Sequence, residues 1–168
     1  MTNRIRQSIT IAVVVCGFAT YVAAQGTKGT TKLPQLPPAV TQAIQANKPG
    51  AEIDKVEIEK ENGVTLYDIE FKDGKGEIEV AEDGTVIDVT DVVTMKDVPD
   101  AAAGAIKTAA KGKPIKQLER AEVRAEVVKE GGKGKVSKLS APKYVYEAEL
   151  AKGEIEVTPE GKVIKGGK

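Results

Sequence analysis

The sequence predicts an α+β protein built from two tandem copies of one unit, a helix followed by a four-stranded antiparallel meander. The two meanders are expected to join into one sheet with both helices on one face. Three observations carry this. Gly76-Glu77-Ile78-Glu79-Val80 returns as Gly153-Glu154-Ile155-Glu156-Val157, and each copy continues, three residues later, into a glycine and a Val-Ile pair (Gly84 to Ile87, Gly161 to Ile164). In each copy the apolar period switches from helical to alternating at the corresponding place. Each unit alone spans about 55 to 70 residues, a size that buries a marginal share of its surface, so the copies gain by sharing a sheet.

The chain has 168 residues with 25 basic and 25 acidic side chains, no histidine and 4% aromatics, which points to a core of Val, Ile, Leu and Ala. Arg4 and Arg6 precede an apolar run from Ile9 to Ala24 that closes on Val22-Ala23-Ala24. This is the pattern of a cleaved secretory signal, residues 1–24, cut after Ala24. The rival is an uncleaved anchor, but the run is interrupted by Thr10, Gly17 and Thr20 and falls short of the roughly 20 apolar residues a bilayer span needs. Cys16, the only cysteine, lies inside that run. A chain cut after Ala24 therefore has no disulfide, thiolate nucleophile, histidine base or zinc site of the usual ligands. A non-enzymatic protein of the periplasm or exterior is expected, with no cofactor and no stable membrane anchor once the signal is removed.

Residues 25–35 are rich in Gly, Thr and Lys and read as a flexible leader. The first unit covers 36–91. Pro37 and Pro38 suit a first helical turn, Val40, Ala43, Ile44 and Asn47 recur at helical spacing, and Pro49-Gly50 stops the helix. From Ile53 the period becomes two. Val56 and Ile58 alternate with Glu57 and Glu59, and Tyr67, Ile69 and Phe71 with Asp68 and Glu70. Asn62-Gly63, Asp73-Gly74 and Asp83-Gly84 mark the turns between strands. After a linker at 92–97, the second unit (98–168) repeats the grammar. Its helical stripe is Ala102, Ala105, Ile106 and Ala109, with Gly112-Lys113-Pro114 as its stop. Tyr146-Glu147-Ala148-Glu149-Leu150 answers Tyr67 to Phe71. The main departure is an insertion at 129–143, which reads as a mobile, glycine- and lysine-rich loop in place of a two-residue turn.

Two groups of side chains are candidate partner contacts. Lys129, Lys133, Lys135, Lys138 and Lys143 cluster in the insertion. Glu57, Glu59, Asp68, Glu70, Glu77 and Glu79 could align across neighbouring strands and face calcium or a basic partner, against the plainer reading of a solvated sheet face. Gly131-Gly132-Lys133-Gly134-Lys135 lacks the Gly-Lys-Ser/Thr ending of a phosphate loop, and Ser137 and Ser140 have no histidine to activate them. Tyr67, Tyr144 and Tyr146 read as core or edge aromatics. Residues 36–91 hold fourteen acids and five bases, a balance of −9, whereas 98–168 hold ten acids and fifteen bases, a balance of +5. So strong a dipole orients a charged partner or favours weak head-to-tail self-association, and the acidic half argues against nucleic acid.

A proline-started helix, a Pro-Gly stop, a strand, then Tyr67-Asp68-Ile69-Glu70-Phe71 and the glycine-centred last hairpin resemble the PepSY-like, beta-lactamase-inhibitor-like (BLIP-like) proteins, once per repeat. That family is similar in fold to PepSY modules in propeptides of secreted metallopeptidases. The resemblance implies a binding or inhibitory role towards an extracytoplasmic protein such as a peptidase, and it supplies no catalytic residues. The alternative kept open by the residues is an envelope protein that binds a small ligand or cation on the acidic sheet face.

Overall fold

The computed structural model describes residues 33–166; the expected signal (1–24) and most of the leader lie outside them. Helix α1 (Pro38–Asn47) opens on a proline, which suits a first turn because its missing amide hydrogen would have had no partner there. Its stripe Val40, Ala43 and Ile44 is buried. Strands β1 (Ile53–Glu61), β2 (Val64–Phe71), β3 (Glu77–Ala81) and β4 (Val86–Val92) follow, with a short 3-10 turn at Lys72–Gly74. Then come a second 3-10 turn (Met95–Asp97), helix α2 (Asp100–Ala110), and strands β5 (Ile115–Glu130), β6 (Lys133–Leu150), β7 (Glu154–Val157) and β8 (Val163–Lys165). The eight strands form one antiparallel sheet whose spatial order is the chain order.

Both helices cover the same face. Under α1 lie Tyr67, Ile69, Phe71, Ile78, Val80 and Val89. Under α2, whose buried stripe includes Ala102 and Ile106, lie Leu118, Tyr146, Ala148, Leu150, Ile155 and Val157. The repeats join where β4 pairs with β5, from Asp88 opposite Val123 to Val92 opposite Glu119. Polar bonds tie α1 to that joint. The Lys48 ammonium donates to the carbonyls of Lys75 (3.0 Å) and Thr90 (3.1 Å) and to Asp91 (2.6 Å). Asp91 also accepts from Arg120 of β5 at 3.0 Å, and Arg124 donates to the Asn47 side chain of α1. The expected linker at 92–97 is the end of β4 and one capped turn, in which the Thr94 amide and hydroxyl both donate to Asp97.

The insertion at 129–143 is not the mobile loop expected. It belongs to two long strands, β5 and β6, joined by a two-residue turn at Gly131-Gly132. Both glycines have positive φ (59° and 83°), the geometry whose twist matches that of flanking antiparallel strands. The pairing register jumps from Val123 opposite Lys143 to Ala125 opposite Lys138, and Pro142 sits in that jump, where a missing amide breaks no ladder bond. Beyond it the hairpin runs as an arm over the face opposite the helices, the far face. Ala125, Val127 and Val136 pack there on Leu66, Ala81 and Ile87 of the first repeat. At the tip the Gly134 amide donates to the Asn62 carbonyl at 2.9 Å, and a Cβ on residue 134 would stand 2.6 Å from that oxygen. Glycine content here serves a turn and a close approach, so it does not signal mobility.

Candidate functional site

Alternation in β6 and the short β7–β8 hairpin place one open groove beside the stem of the arm. Its volume is about 1010 Å³, and its walls are residues 126–129 and 142–145 on the arm side and 158–164 on the β7–β8 side. Val128, Tyr144, Val163 and Ile164, large apolar side chains that a folded chain usually buries, all stand exposed along it. The charged lining is Lys129, Lys143, Lys162, Glu126 and Glu160. Lys143 is engaged with Glu126 at 2.7 Å. The Thr158 hydroxyl and its own backbone hold the Glu160 carboxyl below its usual range, so it stays ionised at neutral pH. The arrangement offers an apolar floor with a charged rim, suited to holding an apolar segment.

Of the lysines singled out in the insertion, Lys129 and Lys143 line this groove. Lys133, Lys135 and Lys138 lie farther out on the arm, where Lys135 pairs with Glu130 at 3.0 Å. Alternation along β6 sets Lys133 and Lys135 on one face of the strand and Lys138 on the other. Tyr67 and Tyr146 are core aromatics, as expected, and Tyr144 is an edge aromatic.

The acidic alternation does align. Glu57, Asp68, Glu79 and Asp88 stand directly across from one another on β1 to β4, and Glu70 faces Glu77 in the adjoining row, whereas Glu59 faces Leu66. Glu77 is buried, and Asp68, Glu77, Glu79 and Asp88 are all engaged by neighbours in the fold. Lys55 bonds Glu57 at 2.7 Å, an interaction that raises the lysine's pKa. The second repeat carries a counterpart row, Glu119, Glu147, Glu156 and Lys165, in which the final acid has become a lysine. Burial pushes the Lys165 pKa down, but Glu154 and Glu156 outweigh it and hold the ammonium charged. Among the described residues no group of three or more acidic, histidine or cysteine side chains is placed to hold a metal ion. No helix among them is long and apolar enough to cross a membrane.

Reading by motif missed the groove itself, since Val128, Tyr144, Val163 and Ile164 carry no chemistry as residue types. The signal was in the repeat. Val163-Ile164 matches Val86-Ile87, and among the described residues β8 pairs only with β7, whereas β4 has β5 beside it.

Comparison with known proteins bears on the fold and family. No curated protein matches the chain. The structure is similar to that of "putative periplasmic proteins" from Bacteroides eggerthii, at 13% identity and a TM-score of 0.52, covering 79% of this chain and 88% of that one. A BLIP-like protein from Bacteroides fragilis matches at 12% identity and a TM-score of 0.46, covering 82% of this chain and 88% of that one. The family model described as "Putative beta-lactamase-inhibitor-like, PepSY-like" matches residues 27–88 and again residues 65–131. Since the two matched stretches together span residues 27–131, more than half of the chain, the chain belongs to the PepSY-like, beta-lactamase-inhibitor-like family.

Proposed function

We propose that this is a non-enzymatic binding protein of the periplasm or exterior, an accessory factor or inhibitor of another extracytoplasmic protein such as a peptidase. The observation that carries the reading is the groove: four large apolar side chains exposed together beside the arm. Exposed apolar surface gathered in one concave place marks a binding site far more often than the same side chains scattered singly. The Arg-flanked apolar run before Ala24, the inhibitor-like description of the family and the periplasmic description of the Bacteroides eggerthii protein support the location and the role. The test compares capture of envelope proteins by the native chain and by Ile164→Glu, with melting temperature measured on both. Ile164 is exposed, so equal stability with lost capture supports the reading, and equal capture removes the groove as its site. Intact mass of the exported protein checks the cut after Ala24.

A second reading rests on the row Glu57, Asp68, Glu79 and Asp88: a small-ligand or cation-binding envelope protein using the far face of the first repeat. A ligand that binds only the folded state must raise the melting temperature, so a calcium titration that leaves it unchanged removes calcium as the cation on that face.

A further inference from the structure

The groove has an occupied counterpart in the same molecule. Aligning the repeats on Tyr67 with Tyr146 and on Gly84 with Gly161 sets Leu66, Ala81 and Ile87 against Val145, Thr158 and Ile164. The first three form the far-face cluster that the arm closes with Ala125, Val127 and Val136. The second three line the open groove. The difference shows in the isoleucines, since Ile87 is 6% exposed and Ile164 is 44% exposed. The strand edges differ in the same way. β4 has β5 along its outer edge, whereas β8 pairs only with β7 among the described residues.

We propose that the groove is a socket for strand addition, in which an extended segment of a partner protein pairs with the outer edge of β8 and sets small apolar side chains on Val145, Thr158 and Ile164. This rests on the binding role proposed above and names the chemistry of the partner. What fills the socket in the first repeat defines that chemistry. The covering strand reads Ala121-Glu122-Val123-Arg124-Ala125-Glu126-Val127, with small or β-branched residues at alternate positions. Main-chain bonds to an open edge supply affinity, and alternate side chains in pockets supply selectivity. On the rim Lys143 is paired with Glu126, and Lys129 and Lys162 then outnumber Glu160; with the balance of +5 in the second half, this favours acidic residues at the intervening positions. A second copy of this chain fits poorly. The strand equivalent to β5 is β1, which would present Glu59 and Glu61 where β5 has Ala121 and Val123, and its turn at Asn62-Gly63 is too short to reach across Ile164.

The probe is a synthetic peptide carrying residues 119–128 of this chain with Arg120 and Arg124 changed to Glu, alongside the unchanged sequence. Binding to the full chain is followed by titration calorimetry and by amide hydrogen exchange. The expected result is binding of the acidic peptide, slowed exchange at Val163, Ile164 and Lys165, and affinity about tenfold weaker or worse in Ile164→Glu and in Val163→Asp, whose melting temperatures match the native chain. Tighter binding of the unchanged peptide overturns the acidic preference. Binding that leaves the β8 amides unprotected overturns strand addition while leaving the groove a binding site. Failure of both peptides overturns the socket, and the capture comparison above then judges the broader binding role by itself. Self-association that protects β8 with no peptide present overturns the choice of a foreign partner.

Discussion

Asp91 shows how single residues hold the two repeats together. Burial alone would raise its pKa, but the Lys48 ammonium and the Arg120 guanidinium outweigh that effect and hold the carboxyl below its ordinary value of 3.8. A carboxyl whose pKa is depressed by folding stabilises the fold above the unfolded value and loses that contribution as pH falls through the folded one. The expected outcome is that native protein loses more stability than Asp91→Asn between neutral pH and about pH 3, since the variant has no proton to take up. Urea melts of both proteins at the two pH values check this. At neutral pH the same variant leaves Lys48, whose side chain is only 10% exposed, without its anionic partner, a loss of about 1 to 3 kcal/mol. None of this was legible in the sequence. Lys48, Asp91 and Arg120 come from three separate elements, and only the register of β4 on β5 brings them together.

Among the elements, the helices and the short strands were readable because each obeys one local period, and the arm was not. Its lysines and glycines have the composition of a loop, and the apolar positions that make it a strand, Ala125, Val127 and Val136, are small and few. What decides their conformation is the Leu66, Ala81 and Ile87 patch some forty to seventy residues earlier in the chain. The alignment of Glu57, Asp68 and Glu79 was readable, since it follows from alternation and tight turns; the groove was not, because its walls come from the arm and from the β7–β8 hairpin, which only the folded chain sets side by side. The arm's role is testable. Replacing residues 126–141 by Asn-Gly is expected to destabilise the protein by about 2 to 5 kcal/mol, because it uncovers Ile87 and Leu66. A flexible loop of that size would change stability by well under about 1 kcal/mol. Thermal melting of the shortened chain distinguishes the two.

As a whole molecule the protein is one sheet of eight strands carrying two helix-side cores and a third cluster that spans both repeats. Such sharing predicts a single cooperative unfolding transition. Ile78→Ala and Ile155→Ala, fully buried equivalents in the two repeats, are each expected to cost about 2 to 5 kcal/mol and to move that one transition. Calorimetry that resolves two transitions, each moved by only one of the substitutions, would contradict the shared sheet as a unit of stability.

Strand order that equals chain order also means that the protein can be assembled in the direction in which a ribosome makes it. Each new hairpin lands beside the strand completed just before it, and such near-neighbour pairing forms readily. The arm is the exception. A nascent chain that has reached Asp97 already holds every residue of the first helix-side core, yet its Leu66, Ala81 and Ile87 face water until residues 125–136 have been synthesised and folded back. For that interval the half-made protein carries a sticky flank that the finished one conceals, and a chaperone that binds apolar chains would find it there.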